Sequence, residues 1–119
     1  MLAVASIARS VAFYRDVLGF SAIMQSAEYS IMERDGQTIH FESAPEEVLA
    51  RVRGHIEIYI EVSGIRPLWE HVRTFKDHYK IKDLFDRDYG ITEFHIIDPN
   101  GCLVFVGEKS KQPTTPVPQ

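Results

Sequence analysis

Two stretches of the chain alternate apolar and polar positions in the same manner and break at the same kind of turn. Toward the C-terminal end, Glu93-Phe94-His95-Ile96-Ile97 runs into Asp98-Pro99-Asn100-Gly101 and leaves through Leu103-Val104-Phe105-Val106. Earlier, Tyr29-Ser30-Ile31-Met32 runs through Glu33-Arg34-Asp35-Gly36 into Gln37-Thr38-Ile39-His40-Phe41-Glu42. A period of two marks half-buried strands, and Asn-Gly or Asp-Gly between two such runs is the chemistry of a tight β-hairpin. Each hairpin follows a strand-like run, a helical run and a further short strand. A chain that repeats one order within so short a length reads as two copies of one small unit, with a site where they meet.

The first copy opens with an apolar strand, Leu2 to Ser6. Val11, Tyr14, Val17 and Leu18 then recur at helical spacing behind Ser10 as the cap, and Gly19 ends the helix. With Ser21 to Gln25 as a strand before the hairpin, residues 1–43 spell β-α-β-β-β. Residues 44–54 are charged and weakly helical, a connector. His55 to Val62 has the cleanest alternation in the chain, and Ile65 to Tyr79 is helical, with Leu68, Trp69, Val72 and Phe75 on one face. A strand over Ile81 to Asp86 and the last hairpin complete a second β-α-β-β-β over residues 55–108. Residues 109–119 contain Pro113, Pro116 and Pro118 and are expected to form a disordered tail. The expected class is α+β, a single domain (1–108) of two tandem modules.

Alternation also assigns faces. Ile56, Ile58, Ile60 and Val62 share one side of their strand, leaving His55, Glu57, Tyr59 and Glu61 on the other. By the same count Thr38, His40 and Glu42 oppose Ile39 and Phe41, while Glu93 and His95 oppose Phe94 and Ile96. Leu103 and Phe105 oppose Val104 and Val106. Each sheet thus has an apolar face for its helix and a second face mixing acids, histidines and aromatics. A wet outer face is common in antiparallel sheets. Tyr59 and Phe105 are costly to leave bare, however, and favour a curled sheet lining a ligand cleft.

Composition narrows the choice. With 119 residues, 45% hydrophobic and 25% charged, the chain suits one globular domain that folds without a staple. Cys102 is the single cysteine, so no internal disulfide forms, and neither a nucleophile motif nor a phosphate-binding glycine loop is present. The formal charge of −4 and the lack of a basic cluster argue against nucleic acid and toward neutral or cationic small molecules. No apolar run approaches the ~18 residues of a membrane span. No signal peptide is visible, so a cytoplasmic location is expected.

Ser10-Val11-Ala12-Phe13-Tyr14-Arg15-Asp16-Val17-Leu18-Gly19-Phe20 resembles the S-x-x-F-Y-x-x-x-L-G-F helix of the vicinal oxygen chelate superfamily, and Asp98-Pro99-Asn100-Gly101 resembles its D-P-x-G turn before the last strand. With the duplicated order between them, the resemblance spans Leu2 to Glu108. It implies paired modules forming a cupped, mostly antiparallel sheet with the helices outside. It does not imply one reaction, because the superfamily holds glyoxalases, extradiol dioxygenases, fosfomycin-modifying enzymes, an epimerase and metal-free bleomycin-sequestering proteins.

In the enzymes a divalent metal is held from the first, fourth, fifth and eighth strands. Carried across, the first position falls before Met1 or among Met1, Leu2 and Ala3, none of which can bind metal. The fourth falls on His40, the fifth on Glu57 or His55, and the eighth on Phe105, which has no donor atom. A zinc or iron site needs at least three protein ligands, so neither metal nor other cofactor is expected. A displaced site, the alternative, would draw on His40, Glu57, His55 and His95.

The resemblance therefore implies a protein of the bleomycin-resistance type that sequesters a cationic or aromatic ligand in a cleft between modules, without catalytic residues. His40, Glu42, His55, Glu57, Tyr59, Glu93, His95 and Phe105 are the expected ligand-binding residues. Tyr59, Phe105 and Trp69 are candidates for stacking, Trp69 sharing that role with its helix's apolar stripe. The rival readings are a metal-dependent lyase or dioxygenase with an altered ligand set, and a domain whose cleft has lost its ligand. The resemblance also implies a homodimer, with neither nucleic acid nor membrane as partner.

Overall fold

Residues 1–88 and 90–109 are described in a computed structural model. The strands are β1 (Leu2–Val4), β2 (Ser21–Gln25), β3 (Tyr29–Arg34), β4 (Gln37–Ser43), β5 (Glu57–Glu61), β6 (Ile81–Asp86), β7 (Ile91–Ile97) and β8 (Leu103–Lys109). The helices are α1 (Ile7–Asp16), α2 (Glu46–Val52) and α3 (Ile65–Val72), the last continued by a 3₁₀ turn over Arg73–Phe75. Two four-stranded sheets result, ordered β1-β4-β3-β2 and β5-β8-β7-β6. In each, the first strand lies parallel to the last while the others pair antiparallel. Parallel neighbours cannot be joined by a hairpin, so α1 and α3 are the crossovers that this topology requires.

Each helix covers the apolar face that alternation predicts. Ile7, Val11, Phe13 and Tyr14 of α1 are buried, as are Val4, Met32 and Phe41 of the first sheet. Leu68, Trp69 and Val72 of α3 are buried with Phe94, Ile96, Val104 and Val106 of the second. The Trp69 ring packs 5.3 Å from that of Phe94, so it belongs to the core and not to the cleft. Glu108 on β8 caps α3, its carboxylate accepting from the backbone N–H groups of Gly64 and Ile65 at 3.0 and 2.9 Å.

Several expected boundaries shift. Ser6, not Ser10, caps α1, its Oγ accepting from the Arg9 N–H at 3.2 Å. Ser10 sits buried within the helix. The second long helix tightens after Val72 instead of running on to Tyr79. β5 begins at Glu57, which leaves His55 in the loop before it. Lys109 is not tail but the end of β8, paired with Ile91. The rest of the expected tail lies outside the described residues.

The two sequence motifs meet in space. The Tyr14 hydroxyl on α1 donates to Asp98 Oδ2 at 2.7 Å. Asp98 Oδ1 accepts from the N–H groups of Asn100 and Cys102 at 2.8 and 2.9 Å, closing the turn. Asn100 in turn donates to Ser10 Oγ and accepts from the Ala5 N–H, each at 3.1 Å. The loop of the second module is thus pinned to the helix of the first. Phe13 against Tyr79, with ring centres 4.9 Å apart, and His71 Nε2 at 2.6 Å from the Asp16 carbonyl extend the same seam.

Candidate functional site

The modules also meet along their sheets, and there they leave a gap. β1 pairs with Phe41, Glu42 and Ser43. The earlier part of β4 therefore looks across toward β5. At its end the Gln37 carboxamide bridges the edges, donating to the Glu61 carbonyl and accepting from the Glu61 N–H. Beside that bridge lies a cavity of about 280 Å3, lined by Met1, Leu2, Gln37, Thr38, Ile39, His40, Ile58, Tyr59 and Ile60.

Two of its groups have defined supports. His40 Nδ1 lies 2.5 Å from the Tyr29 hydroxyl on the neighbouring strand, which orients the imidazole. Tyr59 is 45% exposed, an unusual state for a large ring at the mouth of a cavity. A Cβ at Gly107 would stand 2.6 Å from the Tyr59 Oη and 3.1 Å from its Cε1. The tyrosine can lie over β8 only because residue 107 has no side chain.

From Tyr59 a row of side chains crosses the second sheet. Register places Tyr59 beside Phe105, Phe105 beside His95, and His95 beside Lys82. The His95 and Phe105 rings stack at 4.1 Å and 8°, and Phe85 meets the imidazole edge-on at 5.4 Å. His95 Nε2 lies 2.5 Å from Glu93 Oε2, which also accepts from Arg87 Nη2 at 2.9 Å. Burial alone would raise the Glu93 carboxyl, but hydrogen bonds from Arg87 and His95 outweigh it and hold the group below the usual carboxylate range. At Asp98 the balance is reversed: burial outweighs its three hydrogen bonds and raises the carboxyl. Burial, helped by Asp98 and Glu57, pushes the Cys102 thiol up to about 12, which leaves it inert.

The expected site residues divide accordingly. His40 and Tyr59 line one cavity, and Tyr59, Phe105 and His95 form one row. Glu42 and Glu57 are exposed on the same faces, two residues from His40 and Tyr59 respectively. Glu93 faces the cup but is 2% exposed and already neutralised, so it does not serve as a free acid for a cation. His55 stands apart, exposed outside the ladder, because β8 offers no partner before Leu103. Sequence reasoning missed Tyr29, Gln37, Phe85, Arg87 and Gly107. Gly107 alone carried a signal: a glycine inside an apolar strand marks a close approach.

A divalent metal, which the resemblance raises, does not fit these residues. Among the described residues no group of three or more His, Cys, Asp or Glu is gathered in a way that could hold one. The four fallback ligands are not gathered: His40 lines the seam cavity, Glu57 is exposed at the start of β5, His95 is bonded to Glu93 and His55 lies in a loop. What this face offers instead is ring faces, imidazoles and exposed acids, groups able to stack and to hydrogen-bond.

Comparison with known proteins adds to this geometry. A family model described as the Glyoxalase/Bleomycin resistance protein/Dioxygenase superfamily matches residues 1–106. Bleomycin resistance proteins from Geobacillus stearothermophilus and Staphylococcus aureus are 25% identical over 117 residues, spanning 87% of this chain and 89% of theirs. The crystal structure of a bleomycin resistance determinant encoded on the transposon Tn5 is similar with a TM-score of 0.74 at 16% identity, covering 93% of this chain and 94% of that one. A bleomycin-binding protein complexed with bleomycin gives 0.73 at 17%, covering 92% and 94%. At such identities the structural likeness speaks to the fold. No described helix is long and apolar enough to cross a membrane.

Proposed function

Since the chain belongs to the glyoxalase/bleomycin resistance protein/dioxygenase superfamily, we propose that it binds a small organic molecule at the seam between its modules and sequesters it without metal or chemical change. The ligand is flat and cationic, stacking on Tyr59 and drawing on Glu42, Glu57 and Glu61 nearby, with His40 as a hydrogen-bonding group. The protein works in the cytoplasm as a homodimer. The observation that carries the reading is the Tyr59 ring, half exposed beside a cavity and resting over Gly107. An aromatic so placed gains the rest of its burial only when a second ring covers it. The binding of bleomycin by solved relatives of the same fold supports the choice of sequestration over catalysis.

Calorimetric titration with bleomycin and with a planar acridinium cation tests this. Saturable binding to at least one is expected, weakened about tenfold or more in Tyr59→Ala, the loss typical of a central aromatic anchor. Absence of saturation with both, or an unchanged affinity in Tyr59→Ala, overturns the reading. Elemental analysis of purified protein checks the metal-free part. About one divalent ion per chain, lost in His40→Ala, would replace it with a metal site.

A further inference from the structure

The far end of the same concave face carries the opposite charge. A second cavity of about 260 Å3 lies there, lined by Lys80, Ile81, Lys82, His95, Ile96, Ile97 and Leu103. The Lys82 ammonium stands 4.5 Å from the centre of the Phe85 ring, beside His95 in the register of β6 and β7. The acids of β6 and β7 that could neutralise it are engaged elsewhere. Asp83 pairs with Lys76 at 2.5 Å, and the bulge between Lys82 and Phe85 takes it out of step with its strand. Asp86 accepts from the Thr92 hydroxyl at 2.7 Å, and Glu93 is taken up by Arg87 and His95. Among the described residues neither Lys80 nor Lys82 has an acid within ion-pair distance. Two lysines without an acid partner among the described residues therefore line a cavity with apolar walls, on a chain whose formal charge is −4.

We propose that this cavity is a subsite for an organic anion, an aromatic carboxylate whose acid group meets Lys80 and Lys82 while its ring lies against Leu103, Ile97 and the His95 imidazole. Charge and apolar wall act together here. An ammonium–carboxylate contact strengthens where a ring excludes water, and the ring supplies burial that a bare anion lacks. Inorganic phosphate satisfies the charge but leaves the wall wet. The subsite does not depend on occupancy of the seam cavity. Tyr59 and Lys82 stand at opposite ends of the row Tyr59, Phe105, His95 and Lys82, three strand spacings or about 14 Å apart, and the lining of the second cavity extends from Lys82 back to Leu103 on β8. A zwitterionic ligand of that length would engage both.

Calorimetry on the full chain with 2-naphthoate, 2-naphthylmethanol and inorganic phosphate tests the assignment. Naphthoate is expected to saturate, binding about fivefold or more tightly than the alcohol, the scale of two partly exposed ion pairs. Phosphate is expected to show no saturable binding over the same range. The double variant Lys80→Gln/Lys82→Gln should reduce naphthoate to the level of the alcohol, whereas Lys80→Arg/Lys82→Arg should retain the preference. Tyr59→Ala, which tests the seam reading, should leave naphthoate within about twofold of its original affinity, because the ring lies three strands away. The proposal is overturned if naphthoate binds no better than the alcohol, or if phosphate matches it. It also falls if the Gln pair leaves naphthoate binding intact while Tyr59→Ala removes it, since the anion then sits at the seam.

Discussion

Glu93 shows how a single side chain changes role once its neighbours are known. Alternation correctly puts it on the same face as His95, yet Arg87, in the loop after β6, and His95, two residues along β7, consume its charge. No periodicity links a loop arginine to a strand acid, so that network was not legible in the sequence. Its consequence is a pH dependence of defined sign. The folded-state carboxyl is held below its ordinary value, so the stability it contributes is present above the unfolded pKa and is lost as pH falls through the folded one. Asp98, raised by burial, acts in the reverse sense: its contribution is complete at low pH and declines as pH rises through the folded pKa. Glu93→Gln is therefore expected to cost about 1–3 kcal/mol at pH 7, the price of weakening a charged hydrogen-bond pair. That deficit should shrink at pH 3–4. Urea unfolding of both proteins at the two pH values measures it, and a deficit independent of pH would place the cost elsewhere.

Among the elements, β2 departs most from a self-sufficient domain. All of its residues are exposed, with Ile23 at 60% and Met24 at 42%. It forms one edge of the first sheet, paired only to β3. An edge strand bearing bare aliphatic groups and no charge invites a second chain, which is where the proposed homodimer would form. Ile23→Glu/Met24→Lys should shift sedimentation from dimer to monomer while leaving far-ultraviolet circular dichroism unchanged. A dimer that survives both charges must use another face. The sequence did not reveal this strand's exposure, since Ser21-Ala22-Ile23-Met24-Gln25 has no alternation to read. His55 illustrates the opposite failure. Its alternation with Ile56 and Glu57 is genuine, but a strand ends where its ladder ends, and that boundary belongs to β8. The hairpins, by contrast, were readable, except that Glu33 and Arg34 extend β3 and leave Asp35-Gly36 as the turn, because each couples a period of two to a turn needing positive φ, at Asp35-Gly36 and Gly101.

At the scale of the molecule, the motifs that made the family recognisable are the ones that lock its halves together. Tyr14 and Ser10 come from the first motif, Asp98 and Asn100 from the second, and they bond to each other across the modules. This is why the resemblance spoke to architecture and not to reaction: these four residues bind the halves together, and none of them lines the seam cavity. Tyr14→Phe should destabilise by about 1–3 kcal/mol, because it leaves a buried carboxylate short of a donor. The two modules should still unfold in one step. Trp69, the single tryptophan, reports on the second module. Its fluorescence midpoint in urea should fall together with the circular dichroism midpoint although the substitution lies in the first. Separate midpoints would mean that the clamp does not couple the halves.

The bare backbone of Gly107 has an effect out of proportion to its size. One methyl group there would meet the Tyr59 phenol at van der Waals-forbidden range and force the ring to shift. At the proposed site, residue 107 would thereby set how far the Tyr59 ring can settle onto β8. Substituting alanine, then serine, then valine would grade the width of the entrance while every hydrogen-bonding group in the cup kept its identity. Selectivity among guests of different thickness can thus be tuned from beneath the floor.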